Sequence, residues 1–159
     1  TTVIPATQTG LAGSYTTTTS FTASGQIRAI SYPALGDLSA QTLTYTYNDQ
    51  GAPVSLTGGG TTWVKSASWS PHAALSQVVF NSAANIAETF YRDPETLRIT
   101  EQRMSNTGAY SNVDVTKYFY DDAGKITRTE SDRGYKVSNA YRATCYQYNG
   151  LAQLVVCRC

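Results

Sequence analysis

The sequence predicts an all-β fold made of an array of antiparallel hairpins. Three observations predict it. The chain carries twelve tyrosines, twelve glycines and abundant threonine, a mixture that suits pleated strands and the turns between them. Aromatic and threonine positions alternate with a period of two, as in Leu43-Thr44-Tyr45-Thr46-Tyr47, which puts one residue type on each face of a strand. A short word also returns along the whole chain: aromatic, any residue, aromatic, Asn or Asp, two residues, Gly, any residue, aliphatic. Repeats of that length decide architecture, so this is the leading signal.

Taken in order, the first copy is Phe21-Thr22-Ala23-Ser24-Gly25-Gln26-Ile27, which keeps one aromatic and the glycine. The second runs Tyr45-Thr46-Tyr47-Asn48-Asp49-Gln50-Gly51 and continues through Pro53 to Val54 and Leu56. Trp69-Ser70-Pro71-His72-Ala73 is a weak third copy, with a small residue where glycine would fall. Phe90 to Ile99 is a fourth, with a turn one residue longer and Leu97 at the glycine position. Tyr118-Phe119-Tyr120-Asp121-Asp122-Ala123-Gly124-Lys125-Ile126 is the clearest. Tyr146-Gln147-Tyr148-Asn149-Gly150-Leu151-Ala152-Gln153-Leu154 closes the series with Ala152 in the glycine place. Positions 25, 51, 73, 97, 124 and 152 are thus spaced by 26, 22, 24, 27 and 28 residues.

Each copy reads as strand, turn, strand. Asn48 and Asp121 offer side-chain oxygens to nearby backbone, and Gly51 and Gly124 allow a positive φ. Ile126-Thr127-Arg128-Thr129-Glu130 then returns with its own alternation. Gly58-Gly59-Gly60 and Ser105-Asn106-Thr107-Gly108 read as further turns, and a helix is expected only around Pro71 to Gln77. No domain boundary stands out, so residues 1–159 are expected to be a single segment of about six units. A lone hairpin is marginal in water, so each unit should lean on its neighbours, with tyrosines stacked in cross-strand ladders.

At these words the chain resembles the YD-repeat, or RHS-repeat, proteins, over roughly residues 15–156. Asp93-Pro94-Glu95-Thr96 followed by Arg98 is similar to a variant turn of that family, and Cys145 to Leu154 to a frequent late repeat of its bacterial members. Relatives include bacterial RHS polymorphic toxins, shell components of insecticidal Tc toxins, and animal teneurins. The resemblance implies a curved strip of antiparallel sheet, part of a spiral β-shell or barrel that encloses or displays a C-terminal effector, a toxin domain in the bacterial case. It makes Tyr45, Tyr47, Asn48, Gly51, Tyr118, Tyr120, Asp121, Gly124, Tyr146, Tyr148 and Asn149 structural repeat residues. It also implies a secreted or surface location, bacterial rather than animal in style, and partners that are further YD repeats of the same or another chain, or a toxin cargo. A homo-oligomer or a larger assembly is expected. The family's C-terminal core motif with its self-cleaving aspartates has no counterpart here; Asp93, Asp121 and Asp122 match the repeat turn instead.

The catalytic inventory is thin, and no enzyme, cofactor or metal is expected. His72 is the only histidine and adjoins no nucleophile signature. Cys157-x-Cys159 with one distant histidine lacks the ligand count of a zinc site, and the Asn48 and Asp121 turns lack the alternating oxygens of a calcium loop. A net charge of +1 with 14% charged residues gives no footprint for nucleic acid. No stretch approaches the ~20 apolar residues of a membrane helix, and the start at Thr1 has no basic and apolar leader. Both ends, Thr1 and Cys159, read as cut from something longer. Three cysteines leave at least one unpaired within the chain. Cys145–Cys157 and Cys145–Cys159 bridges both stay open, whereas Cys157 and Cys159 lie ~6.5–7 Å apart along a strand and pair poorly. Two other readings remain: carbohydrate or cell-surface adhesion through Trp63, Trp69, Tyr45 and Tyr47, and self-assembly into a fibre through exposed strand edges.

Overall fold

A computed structural model describes residues 2–4, 13–81, 86–106, 113–133 and 141–157. Every regular element in it is a strand. The first unit, residues 1–67, contains β1 (Thr2–Ile4), β2 (Gly13–Tyr15), β3 (Thr18–Phe21), β4 (Ile27–Tyr32), β5 (Gln41–Tyr47), β6 (Pro53–Gly58) and most of β7 (Thr61–Trp69). The second, residues 68–159, contains β8 (Leu75–Phe80), β9 (Ala87–Arg92), β10 (Ile99–Ser105), β11 (Asp114–Tyr120), β12 (Ile126–Asp132), β13 (Tyr141–Tyr148) and β14 (Leu154–Cys157).

Sheet neighbours are chain neighbours in both units. β1 and β2 form a small antiparallel pair, and β3 to β7 pair in sequence order in the first unit. β8 to β14 do the same in the second. Antiparallel strands joined by short turns need no crossover, which is why a hairpin word suffices to specify the order. The Gly59-Gly60 pair joins β6 to β7 with φ of 59° and 76°, the two positive values that a two-residue hairpin demands. Next to it Gly58 faces Leu43 across the ladder, so closely that an added Cβ would collide with the leucine side chain and stand 3.1 Å from the Thr42 carbonyl.

Within each unit, no second layer of regular structure covers the sheet among the described residues. None of their hydrophobic side chains is fully buried, and none forms a buried core. Strands such as β10 are intermediate at every position rather than alternating between inside and outside. Cohesion therefore comes from the ladders, the turns and contacts along the sheet surface.

The helix expected around Pro71 to Gln77 is not formed. Pro71 and Ala73 lie in a turn and Leu75 opens β8. Ala73 adopts a φ of 56°, outside the right-handed helical region, and the Ser70 amide closes onto the Ala74 carbonyl at 2.8 Å. Of the Ser105–Gly108 connector, Thr107 and Gly108 lie outside the described residues, as do Cys159 and the side chain of Cys157.

Candidate functional site

The six turns share one backbone design. In the first, Gly25 N–H donates to Thr22 O at 3.0 Å, and Thr22 N–H to Gln26 O at 2.8 Å. The same pair of bonds recurs from Asn48, Ser70, Asp121 and Asn149. The Asp93 turn is one residue longer, with Leu97 N–H donating to Asp93 O and Asp93 N–H to Arg98 O, both at 2.9 Å. The five shorter ones are type I turns followed by a left-handed residue, which produces a bulge on the strand. The left-handed residues are Gly25, Gly51, Ala73, Leu97, Gly124 and Ala152, with φ of 84°, 80°, 56°, 59°, 86° and 61°. Register shifts at Phe21, Tyr47, Tyr120 and Tyr148 record the bulges.

The first turn residue always supplies a side-chain oxygen. Asn48 Oδ1 accepts from the amides of Gln50 and Ala52 at 3.1 and 2.9 Å. Asn149 Oδ1 accepts from Leu151 and Gln153, both at 3.0 Å. Asp121 Oδ1 takes the Lys125 amide at 2.8 Å, and Thr22 and Ser70 hydroxyls do the same at 3.1 and 3.3 Å. Asp93 Oδ1 accepts from the Thr96 amide at 2.7 Å, the Thr96 hydroxyl at 2.8 Å and the Glu95 amide at 3.2 Å. The Thr96 bonds lead the effects that hold the Asp93 carboxyl below its ordinary pKa, with Glu95 and Arg98 assisting.

The tyrosine just before a turn reaches back to the preceding repeat. Tyr47 donates its hydroxyl to the Ile27 carbonyl at 2.6 Å, Tyr120 to Ile99 at 2.7 Å, and Tyr148 to Ile126 at 2.9 Å. In each case the acceptor stands two places after the left-handed residue. The residue between them supplies a second contact. Gln26 Nε2 donates to the Gly51 carbonyl at 2.6 Å. The Arg98 guanidinium lies 5.7 Å from the Tyr120 ring centre and presses against Gly124, and the Lys125 ammonium is 5.5 Å from the Tyr148 ring centre. These are cation–π distances. Together they make a clasp of two side-chain contacts between consecutive repeats. Trp69 and Arg92 occupy the corresponding place before the Ser70 and Asp93 turns.

The first aromatic of the word reaches across to the preceding strand. Tyr118 donates to Gln102 Oε1 at 3.0 Å, and Gln102 in turn donates to the Glu88 carboxylate. Tyr146 and Thr129 share a hydroxyl contact at 3.3 Å. Partial burial, then the neighbouring Tyr120 and Tyr146, raise the Tyr118 phenol above its usual value. Tyr45 is half-buried on β5.

The opposite face of the second unit carries charge. A shallow concavity of about 270 Å³ is lined by Glu101, Arg103, Lys117, Glu130, Asp132 and Tyr141 among others. Two of its carboxylates are committed locally: Glu101 pairs with Arg103 at 2.6 Å, and Glu130 with Arg128 at 3.1 Å. Arg103 and Arg128 also lie over Tyr91 and Phe119, 5.2 and 4.1 Å from their ring centres.

His72 is exposed in its turn, and no group of three His, Cys, Asp or Glu that could hold a metal occurs among the described residues. No helix there is long and apolar enough to cross a membrane. Cys145 on β13 is disulfide-bonded. Trp63 is the unpaired residue of a bulge between β6 and β7 and is 51% exposed; Trp69 is half-buried.

Sequence reasoning placed the turn and tyrosine positions but missed Gln26, Arg98 and Lys125, the second half of the clasp. Their signal was a long polar side chain directly after the glycine position in four of the six copies, Gln26, Arg98, Lys125 and Gln153, with Ala52 and Ala74 in the other two.

No protein-family model matches the chain, and no curated protein matches it at a significant level. Solved structures do. A crystal structure of TcdB2-TccC3 superposes with a TM-score of 0.76 at 19% identity, covering 90% of this chain. A TcdB2-TccC3-Cdc42 structure gives the same TM-score and identity over the same share. The Photorhabdus luminescens Tc holotoxin pore gives 0.74 at 20% identity, again over 90%. The chain spans 7% of the length of each of those chains. Over nine tenths of its length the chain thus shares the fold of these Tc toxin chains, and the word repeated in its turns is the one by which it resembles the YD-repeat (RHS-repeat) proteins.

Proposed function

We propose that the chain is a scaffold: a segment of an RHS-type β-shell that encloses or displays a C-terminal effector, a toxin domain in a bacterial setting, outside the cell. The observation that carries this reading is the inter-repeat clasp in a sheet without a buried core. Such a sheet is a wall that extends by adding repeats, and its repeats are tied to each other rather than to a second layer. Catalysis plays no part in it. Its partners are further YD repeats, of the same or another chain, in a larger assembly, and the cargo behind the wall. The likeness to TcdB2-TccC3 chains supports the shell, while the cargo is part of the proposal.

A chimera tests it. The segment of TcdB2-TccC3 on which this chain superposes is replaced by residues 15–156, and the product is imaged by electron microscopy and challenged with protease. A closed particle that keeps its C-terminal domain undigested is expected. A chimera that is folded by circular dichroism yet leaves that domain open to digestion would overturn the shell role.

A further inference from the structure

Asn149 and Gly150 form the only Asn-Gly pair in the sequence. They open the turn between β13 and β14, and both are exposed. The side-chain amide of Asn149 is held by three bonds. Its Oδ1 accepts from the Leu151 and Gln153 amides, both at 3.0 Å, and its Nδ2 donates to Gln153 Oε1 at 2.9 Å. The Gly150 N–H, in contrast, makes no hydrogen bond among the described residues. Nothing crowds it: a Cβ added at Gly150 would meet no atom within 4 Å outside its chain neighbours. This arrangement suits an intramolecular acyl transfer. Gly150 N and Asn149 Cγ belong to adjacent residues, so nucleophile and carbonyl are already brought together. The two amides on Oδ1 draw electron density from Cγ and are placed to hold the charge that Oδ1 gains on attack, as the donors of an oxyanion hole do.

We propose that Asn149 is a covalent self-modification site, at which the folded chain converts asparagine to aspartate and isoaspartate with water as the co-reactant. Gly150 N gives its proton to solvent base and bonds to Cγ. The Cγ–Nδ2 bond breaks, the nitrogen leaves as ammonia, and a succinimide remains. Water then opens that ring at either carbonyl, with no oxidation or reduction. Opening at Cγ leaves aspartate, which the fold accepts: Asp121 holds the same place in its own turn and takes the Lys125 amide at 2.8 Å. Opening at the main-chain carbonyl leaves isoaspartate, whose backbone runs through Cβ and Cγ. The added carbon breaks the spacing on which the Asn149–Gln153 and Ala152–Asn149 backbone bonds depend, and β14 loses its turn. Asn48 is the internal comparison. Its Oδ1 accepts the Gln50 and Ala52 amides at 3.1 and 2.9 Å, but Asp49 follows it. That side chain hinders the nitrogen, and its carboxylate opposes loss of the amide proton.

The intact chain is incubated in mildly alkaline buffer, and digests taken over time are read by mass spectrometry with fragmentation that separates aspartate from isoaspartate. Asn149 should convert faster than Asn48 by about tenfold or more, the effect of about 1.4 kcal/mol on a barrier. Gly150→Ala should slow conversion by a similar factor while leaving the circular dichroism unchanged, because the added methyl meets only its own chain neighbours. Hydrogen exchange at the Leu154–Cys157 amides should quicken in the isoaspartate fraction and stay slow in Asn149→Asp. The same chain unfolded in urea separates the folded site from the bare dipeptide, and the folded chain should convert at least as fast. Conversion confined to the unfolded chain, equal rates at Asn48 and Asn149, an unchanged rate in Gly150→Ala, or unaltered exchange in the isoaspartate fraction would each overturn the proposal.

Discussion

The Tyr120 hydroxyl donates to the Ile99 carbonyl at 2.7 Å across 21 residues of chain, so the tyrosine of one repeat satisfies the backbone of the repeat before it. A side chain to main-chain bond of this kind tolerates any residue at the acceptor. Tyr120→Phe keeps the ring and loses only the bond. It should cost about 1 kcal/mol in a urea titration, and Tyr120→Ala clearly more, because the ring contact with Arg98 goes too. Equal losses for the two variants would show that the ring contributes nothing.

Gly124 has a φ of 86° and lies under the Arg98 guanidinium. Gly124→Val should destabilise by ~1–2 kcal/mol through the backbone alone, with the collision adding to it. In an Arg98→Ala background the Gly124→Ala penalty should shrink, since the guanidinium is no longer there to be displaced. An unchanged penalty would assign the whole effect to the backbone.

The converse applies at Leu97 and Ala152, with φ of 59° and 61°. Both are L-residues in a conformation that favours glycine. Leu97→Gly and Ala152→Gly should each raise stability by a few tenths of a kcal/mol to about 1 kcal/mol, the strain relieved less the extra entropy of glycine in the unfolded chain. A lower denaturation midpoint for Ala152→Gly would contradict this.

Tyr118 titrates higher in the fold than in the unfolded chain, whose value is 10.0. The folded state therefore holds this proton more tightly. Its contribution is complete below pH 10 and is lost as pH rises through the folded value. Alkaline unfolding should steepen there, and Tyr118→Phe should flatten that limb. An unaltered alkaline limb in the variant would place the sensitivity elsewhere.

Asp93 has the opposite sign. Its carboxyl is held below 3.8, so its contribution is complete above that value and disappears as pH falls through the lower folded value. Asp93→Asn should be nearly indifferent to pH across that window, while the parent loses stability. Because the carboxylate is exposed, the loss should be small and should diminish in salt.

The sequence was most legible where the backbone needs a particular residue. An Asx or hydroxyl side chain, followed three or four residues later by a left-handed position, marks all six turns. The spacing located Ala73, Leu97 and Ala152 although none is a glycine. The alternation in β5 likewise announced a strand. The helix expected at Pro71–Gln77 failed because its composition, Pro-His-Ala-Ala-Leu, is locally neutral. Pairing of Gln77, Val78 and Val79 with Thr89, Glu88 and Ala87 decided the matter instead. The clasp was half legible. Its donors are tyrosines and show as letters, but its acceptors are the carbonyls of Ile27, Ile99 and Ile126, and a carbonyl leaves no mark in a sequence.

The absence of a buried core among the described residues has a thermal consequence. The heat-capacity increment of unfolding scales with apolar area newly hydrated, and side chains that are partly rather than fully buried keep some of it hydrated in the fold. The stability curve of this chain should accordingly be shallow, with a small increment per residue and weak denaturant dependence. Cooling should erode its stability less than it erodes that of a domain with a fully buried core, since less of its cohesion depends on withdrawing oil-like surface from water.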